Sequence, residues 1–443
     1  MTHCNSESVE FSRAGRRTVT AAFDGGRLTT DAGALLLREV DQQLGLIDSI
    51  SECLPDPRDQ RYVTHQQRDQ IAQRIFSLAL GYEDLNDQDA MRSDAALQVA
   101  VGVSPEEAKP LASAPTLCRL ENRVDRTSMG RMSKLFVEQF LASHKSPPDE
   151  IILDIDATDD PVHGQQEFRF FHGYYRCYCY LPLYVFCGGH LLCALLRPSG
   201  IDPAKYSKAV LKLLVGRIRE VWPDVKIIIR GDGGFCRWKL MRWCDRNFVD
   251  YIIGIGRNSV LERMVEPLMQ EAHDRWEQSG EKQRLFADAE YAAGPWDYGR
   301  RIIMKAERLA AGPNRRFVVT SLYGDPQALY DDIYCHRGEM ENRIKEKQLM
   351  LFADRTSCQS FVANQFRLLL SSFAYVLLHH LREKHLAKTD LARAQVSTIR
   401  LRLLKLAARV TVSVRRIVFH LPTSYPYRAD FLRVANSLLS SYG

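Results

Sequence analysis

Beyond the Ser146-Pro147-Pro148 break, the chain passes through apolar segments whose order leaves few folds open. Ile151 to Ile155 reads as a strand, and Phe168 to Tyr180 and Leu183 to Leu196 as two more in a meander. Lys205 to Val221 is helical, with Val210, Leu213, Leu214 and Ile218 on one face. Val225 to Ile229 is apolar except for Lys226, which suits a strand covered on both sides. Trp238 to Asn247 supplies a second helix and Tyr251 to Ile255 a further strand.

Three strands followed by alternating helix and strand is the ribonuclease H-like succession, an α/β mixed sheet whose first strand lies parallel to the fourth at its centre. This core is expected to start at residues 147–257. From 258 to 326 the alternation stops: a helix (Leu261 to Arg275) and two strands (Arg301 to Ala306, Arg316 to Leu322) predict a β-containing insertion subdomain. A long charged helix from Tyr330 to Asp354 returns the chain to the core over 327–360. Residues 1–146 predict a mostly helical domain after a short strand (Thr18 to Phe23), and 361–443 predict basic C-terminal helices.

Composition narrows the class. The chain has 443 residues, too many for one compact core, and its 45% hydrophobic and 26% charged content suits a soluble globular protein. Eleven scattered cysteines without a secretory signal point to small buried hydrophobes in a reducing cytoplasm. The apolar run Cys177 to Leu196 is long enough to span a bilayer, but Pro182, His190 and the Gly188-Gly189 pair favour a buried hairpin, so no membrane partner is expected. Cys177 and Cys179 match no common zinc-ligand spacing. Net charge is only +6, yet from Arg382 to Arg416 ten Lys/Arg stand against Glu383 and Asp390. Such a stripe suits phosphate contact, and equally suits the solvated faces of core-packing helices.

Three acids stand out by position. Asp154 and Asp156, two apart on the first strand, point to the same side of the sheet. Asp232 follows the fourth strand directly, at the carboxyl end where α/β proteins gather ligands. Glu341 lies on the helix after the insertion. Carboxylates brought together repel and are costly to bury ionised. Mg²⁺ or Mn²⁺, hard cations that prefer oxygen, would offset this, and two such ions suit in-line phosphodiester displacement. Each acid alone has a plainer role, as a turn cap or a solvated helix residue.

The segment from Tyr334 through Arg337 and Glu341 to Lys347 (YCHRGEMENRIKEK) resembles the Y-R-E-K signature of bacterial insertion-sequence transposases of the DDE superfamily. LDIDATDD (Leu153 to Asp160) and RGDGGF (Arg230 to Phe235) resemble that family's first and second acid motifs, and GYEDLNDQDAMRSD and LFADRTS extend the likeness. The resemblance implies cut-and-paste transposition by Asp156, Asp232 and Glu341 as the metal-binding triad, spaced 76 and 109 residues apart. It also implies contact of Tyr334, Arg337 and a lysine with double-stranded transposon-end DNA, action as a homodimer on DNA, and a bacterial nucleoid setting. The signature lysine would fall at Gln348, so Lys345 or Lys347 must serve, and Gly233 stands where a small hydroxyl residue is expected. The Asp-Ala-Thr context favours Asp156 over Asp154 for the first role, leaving Asp154 to support it from behind. Alternatives are a stand-alone ribonuclease H-like nuclease and a non-catalytic DNA-binding protein derived from a transposase.

Overall fold

The computed structural model describes residues 8–105 and 109–440. The chain divides into two compact units, one comprising Asp125–Leu349 with Ala353–Ser372, the other Met1–Val124, Met350–Phe352 and Phe373–Gly443.

The first unit is built on one eight-stranded sheet. Its strands are β1 (Glu150–Ala157), β2 (Leu183–Cys187), β3 (His190–Leu195), β4 (Lys226–Gly231), β5 (Asp250–Gly254), β6 (Gln283–Tyr291), β7 (Arg300–Leu309) and β8 (Gly312–Thr320). Across the sheet they run β6-β7-β8-β5-β4-β1-β2-β3. β1, β4 and β5 are parallel, so the first and fourth strands pair as the strand order predicted. The remaining neighbours are antiparallel.

Parallel strands at the centre of a sheet need cover on both faces. Ile227, Ile229, Tyr251 and Ile253 face a large core shared with helices α1 (Arg126–Ala142), α2 (Ser207–Val221), α3 (Trp238–Arg246) and α4 (Ser259–Ser279). Ile228 and Ile252 face a second core with Ile303, Val318, Leu329 and Tyr330. The two-residue period of a strand thus accounts for the unbroken apolar run in β4.

Two expectations change in detail. Phe168 to Tyr180 does not join the meander; Phe170–His172 and Cys177–Tyr180 pair with Asp160–Pro161 in a separate small sheet, and several of their rings stay exposed. The second and third strands of the large sheet are instead the two halves of Leu183 to Leu196, which turn at Gly188-Gly189, with Gly188 at φ 56° in the left-handed region. The apolar run considered for a bilayer is therefore strand and turn. Residues 258–326 add three strands, not two, and these continue the central sheet because β8 pairs antiparallel with β5.

In the second unit the N-terminal segment holds helices Ala34–Leu44, Gln67–Leu80, Ala95–Val101 and Ala114–Arg123, preceded by an exposed hairpin, Ser8–Ala14 with Arg17–Ala22. Its C-terminal part departs from an all-helical reading: Ala408–Ser413 and Arg416–His420 form a hairpin that pairs with Leu28–Thr29. The basic stripe is also partly spent on structure. Arg400 donates to the carbonyls of Ala79 (2.9 Å) and Met350 (2.5 Å), Lys405 pairs with the buried Asp31 at 2.6 Å, and Arg382 is buried. One helix, Phe361–His385, is apolar enough to cross a membrane by length and composition, and 83% of its apolar window is buried in the protein.

Candidate active site

The register between β1 and β4 builds the site. Asp154 lies opposite Arg230, and Ile155 opposite Gly231. Asp154 and Arg230 share a face and meet as a bidentate pair, Nε to Oδ1 at 2.5 Å and Nη2 to Oδ2 at 2.7 Å. A third Arg230 nitrogen donates to the Ile333 carbonyl at 2.5 Å, tying both strands to the turns that precede Glu341. Both side chains are below 10% exposed. Burial pushes the Asp154 carboxyl up, against the pull of Arg230. Asp154 thus braces the strand ends and does not line the cleft.

One step further along the same face, Asp156 and Asp232 leave the sheet side by side. Asp156 Oδ1 accepts from its neighbour's backbone N–H, Ala157, at 2.8 Å. Asp232 caps the tight turn Gly233–Phe235, accepting from Gly234 N–H at 2.9 Å. The plain capping role of a strand-end aspartate is therefore real and fixes the carboxylate in place. A Cβ at Gly233 would meet nothing closer than 3.7 Å, so the hydroxyl residue expected there would fit.

Glu341 comes from α5 (Gly338–Leu351). Asp156, Asp232, Arg337, Glu341, Lys345 and Gln348 line one cleft of about 930 Å³. The three carboxylates do not all approach within 4.8 Å of one another. Instead the Arg337 guanidinium stands between two of them, 3.4 Å from Asp156 and 2.5 Å from Glu341. Burial, then the facing Asp232, pushes the Asp156 carboxyl up to about 7 despite Arg337. A buried acid held up by a second acid is the electrostatic condition that a cation relieves. Three hard oxygen donors on an open cleft suit a divalent ion of the Mg²⁺ or Mn²⁺ type. Arg337 already supplies positive charge there, and the Glu341 side chain, 42% exposed, is more open to solvent than Arg337 or Asp156.

Two sequence-predicted residues lie elsewhere. Residues 329–337 wind as irregular helical turns, one of them wide, so Tyr334 leaves the stripe that 337, 341 and 345 share. Tyr334 packs on the second core and opens into an adjoining groove of about 200 Å³ with Gly233, Arg257 and Arg316. A Cβ on Gly254 would fall 2.5 Å from its hydroxyl, so that glycine is what lets the ring in.

Lys347, offered as a DNA contact, is fully buried. Its Nζ donates to Ser372 Oγ at 2.8 Å and lies 4.3 Å from the Tyr184 ring centroid. Burial pulls its ammonium down to about 7. Gln348 donates to Asp160 Oδ1 and to the Asp159 carbonyl, both at 2.9 Å. Of the two lysines only the exposed Lys345 reaches the cleft. If the cleft takes DNA, as the resemblance implies, replacing Lys345 with Ala is expected to weaken that binding several-fold and flatten its salt dependence by about one phosphate contact, while Lys347→Met leaves affinity within about twofold. Binding isotherms at several salt concentrations check this, and equal losses would contradict the placement.

Sequence reasoning missed Arg230, Asp159, His172, Tyr174 and Tyr175, of which the last four line the cleft. Trp238 and Trp243, on the helix that follows Asp232, do not line it: Trp243 packs on the large core, and Lys239 and Arg242 flank the Trp238 ring.

Fold and cleft together define a mixed α/β protein with an acid-lined site at the ends of parallel strands. Residues 11–441 match the family described as transposase DDE domain group 1, and the chain belongs to that family. No curated protein matches it. Among solved structures, the chain is similar to the piggyBac transposase in its synaptic complex with hairpin DNA, at 10% identity and a TM-score of 0.40, over 79% of this chain and 75% of that one.

Proposed function

We propose that the chain is a DNA transposase with a ribonuclease H-like core, which cleaves DNA at the ends of a mobile segment and joins the freed 3′ ends to target DNA. The observation that carries this reading is the single cleft lined by Asp156, Asp232 and Glu341, with Arg337 and Lys345 on its wall. Asp156, Asp232 and Glu341 would hold the divalent ions, two in this reading. When bound, Mg²⁺ or Mn²⁺ supplies charge compensation for the acids and polarises the phosphate and the oxygens that enter and leave it. The chain's own part is positional. Strand register and a turn cap fix Asp156 and Asp232. With ions held there, Glu341 would turn from its pair with Arg337 to join the other two acids, and Arg337 would then be available to a phosphate oxygen. In the cleavage step water oxygen bonds to phosphorus, the bond to the 3′ oxygen breaks, and a proton passes to that oxygen. In joining, the freed 3′-hydroxyl oxygen bonds to a phosphorus of the target strand, the bond from that phosphorus to the target's own 3′ oxygen breaks, and the hydroxyl proton passes to the departing oxygen. By analogy with the family, two copies would act together on paired ends.

Calorimetric titration with Mn²⁺, followed by assays on DNA carrying the element's ends, tests the reading. Mn²⁺ binding that is lost in Asp156→Ala, together with metal-dependent cleavage and strand-transfer products, is expected. Cleavage without strand transfer from pre-cleaved ends would reduce the protein to a nuclease, and neither activity would remove the proposal.

A further inference from the structure

The hairpin Phe170–His172 with Cys177–Tyr180, and the turn between them, presents several exposed aromatic rings close together, and grouped exposed apolar side chains mark binding surfaces. Tyr174 is 84% exposed, Phe171 58%, Phe168 54% and Tyr178 47%. These rings are held out by a firm frame. Arg176 N–H closes the turn on the His172 carbonyl at 2.8 Å, Ser199 Oγ donates to the Phe170 carbonyl at 2.8 Å, and the Tyr180 hydroxyl donates to the Glu167 carbonyl at 2.7 Å. Phe168 and Arg176 sit at φ 58° and 56°, a region that side-chain-bearing residues seldom adopt, so the backbone is bent at both ends of the hairpin.

Two features say what the rings receive. The tip reaches the acidic cleft: His172, Tyr174 and Tyr175 line it together with Asp156 and Asp232, and after burial it is the charges of Asp159 and Asp156 that raise the Tyr175 hydroxyl. Behind the tip, aromatics and cations interleave. Phe171 and Tyr178 pair across the strands, their ring centroids 5.6 Å apart, and the Arg169 guanidinium lies 4.6 Å from the Tyr178 centroid. Arg176 is exposed beside them. Exposed rings offer stacking faces to bases of any sequence, and cations beside them take the backbone. Duplex DNA hides its base faces; only unpaired bases present them.

We infer that this hairpin is a stacking platform for unpaired DNA bases next to the phosphate in the cleft, with Tyr174, set edge-on against the Tyr175 ring, receiving the nearest base and Phe171 extending the track. The inference rests on the reading of the cleft as a DNA-processing site, and it adds a substrate feature to that site: DNA opened or single-stranded at the point of cleavage.

The test uses the full chain with chelator present, so that no cutting occurs, and compares fluorescein-labelled single-stranded oligodeoxythymidine with a duplex of equal length. Tyr174→Ala and, separately, Phe171→Ala should lower affinity for the single strand by roughly 5- to 150-fold, the range for one stacked base, and change duplex affinity by no more than about twofold. Tyr174→Phe should bind as wild type, because stacking uses the ring and not the hydroxyl. A 2-aminopurine placed in the strand should be quenched by wild type and not by Tyr174→Ala. Equal losses on both DNAs, no loss on the single strand, failure of Tyr174→Phe to rescue, or a change in oligomeric state on size-exclusion would each overturn the inference, the last by assigning the rings to a second copy of the chain. Should wild type fail to cut DNA in Mn²⁺, the catalytic reading falls while the binding comparison still decides the platform.

Discussion

Asp232→Ala is expected to lower DNA strand cleavage by at least about 1000-fold, roughly 4 kcal/mol of barrier, while DNA affinity stays within a few-fold of wild type. The reasoning is local. Asp232 stands beside Asp156 at the ends of adjacent parallel strands, on the wall of the same cleft. Groups that merely orient metal ligands cost 10–100-fold when removed, so a ligand should cost more. The loss of the Gly234 cap is a smaller effect, about 1 kcal/mol of stability. Single-turnover cleavage with matched binding isotherms separates the two, and near-normal cleavage would refute the role given to this residue.

The second large effect concerns stability. Asp154→Ala strands the Arg230 guanidinium below the strand ends, and removing one partner of a buried pair costs about 3–5 kcal/mol. For a unit of this size that corresponds to a fall of roughly 10 °C in melting temperature. The same change frees the Ile333 carbonyl contact from its brace, so cleavage should suffer even where the protein remains folded. Replacing both partners, Asp154→Leu with Arg230→Met, should recover most of the lost stability and not the activity, since apolar substitutes fill the space without holding the turn before Glu341. Calorimetry on the single and double variants checks this. A single variant as stable as wild type would show that the pair is not the brace described.

The strands that carry the acids were legible because burial on both faces leaves a plain sign, an unbroken apolar run that ends in a charged residue. Ile227 to Ile229 before Arg230-Gly231-Asp232 is such a run. The fate of Lys347 was also written in the chain but overridden by the signature. Met340, Ile344, Lys347 and Leu351 recur at steps of four, three and four, and all four are buried, so helical period alone puts the lysine on the inward face. The position of Tyr334 was not legible, because a widened turn rotates everything before it and leaves no compositional mark. The hairpin at Ala408–Ser413 falls where a preceding run of helix-forming leucines predicts helix, although its Arg-Val-Thr-Val-Ser alternates as a strand should. Arg337 between two acids could not be foreseen, since helix spacing gives its pairing with Glu341 and says nothing of Asp156 across the cleft.

The pairing of β5 with β8 has a consequence for how such a protein can change over time. Residues between the second and third acids are no detachable ornament, because cutting them away would bare the hydrogen-bonding rim of Asp250–Gly254, whose two flanks are both greasy. A lineage could lengthen or shorten the loops there, but it could not discard the last of those strands without finding another to seal the border.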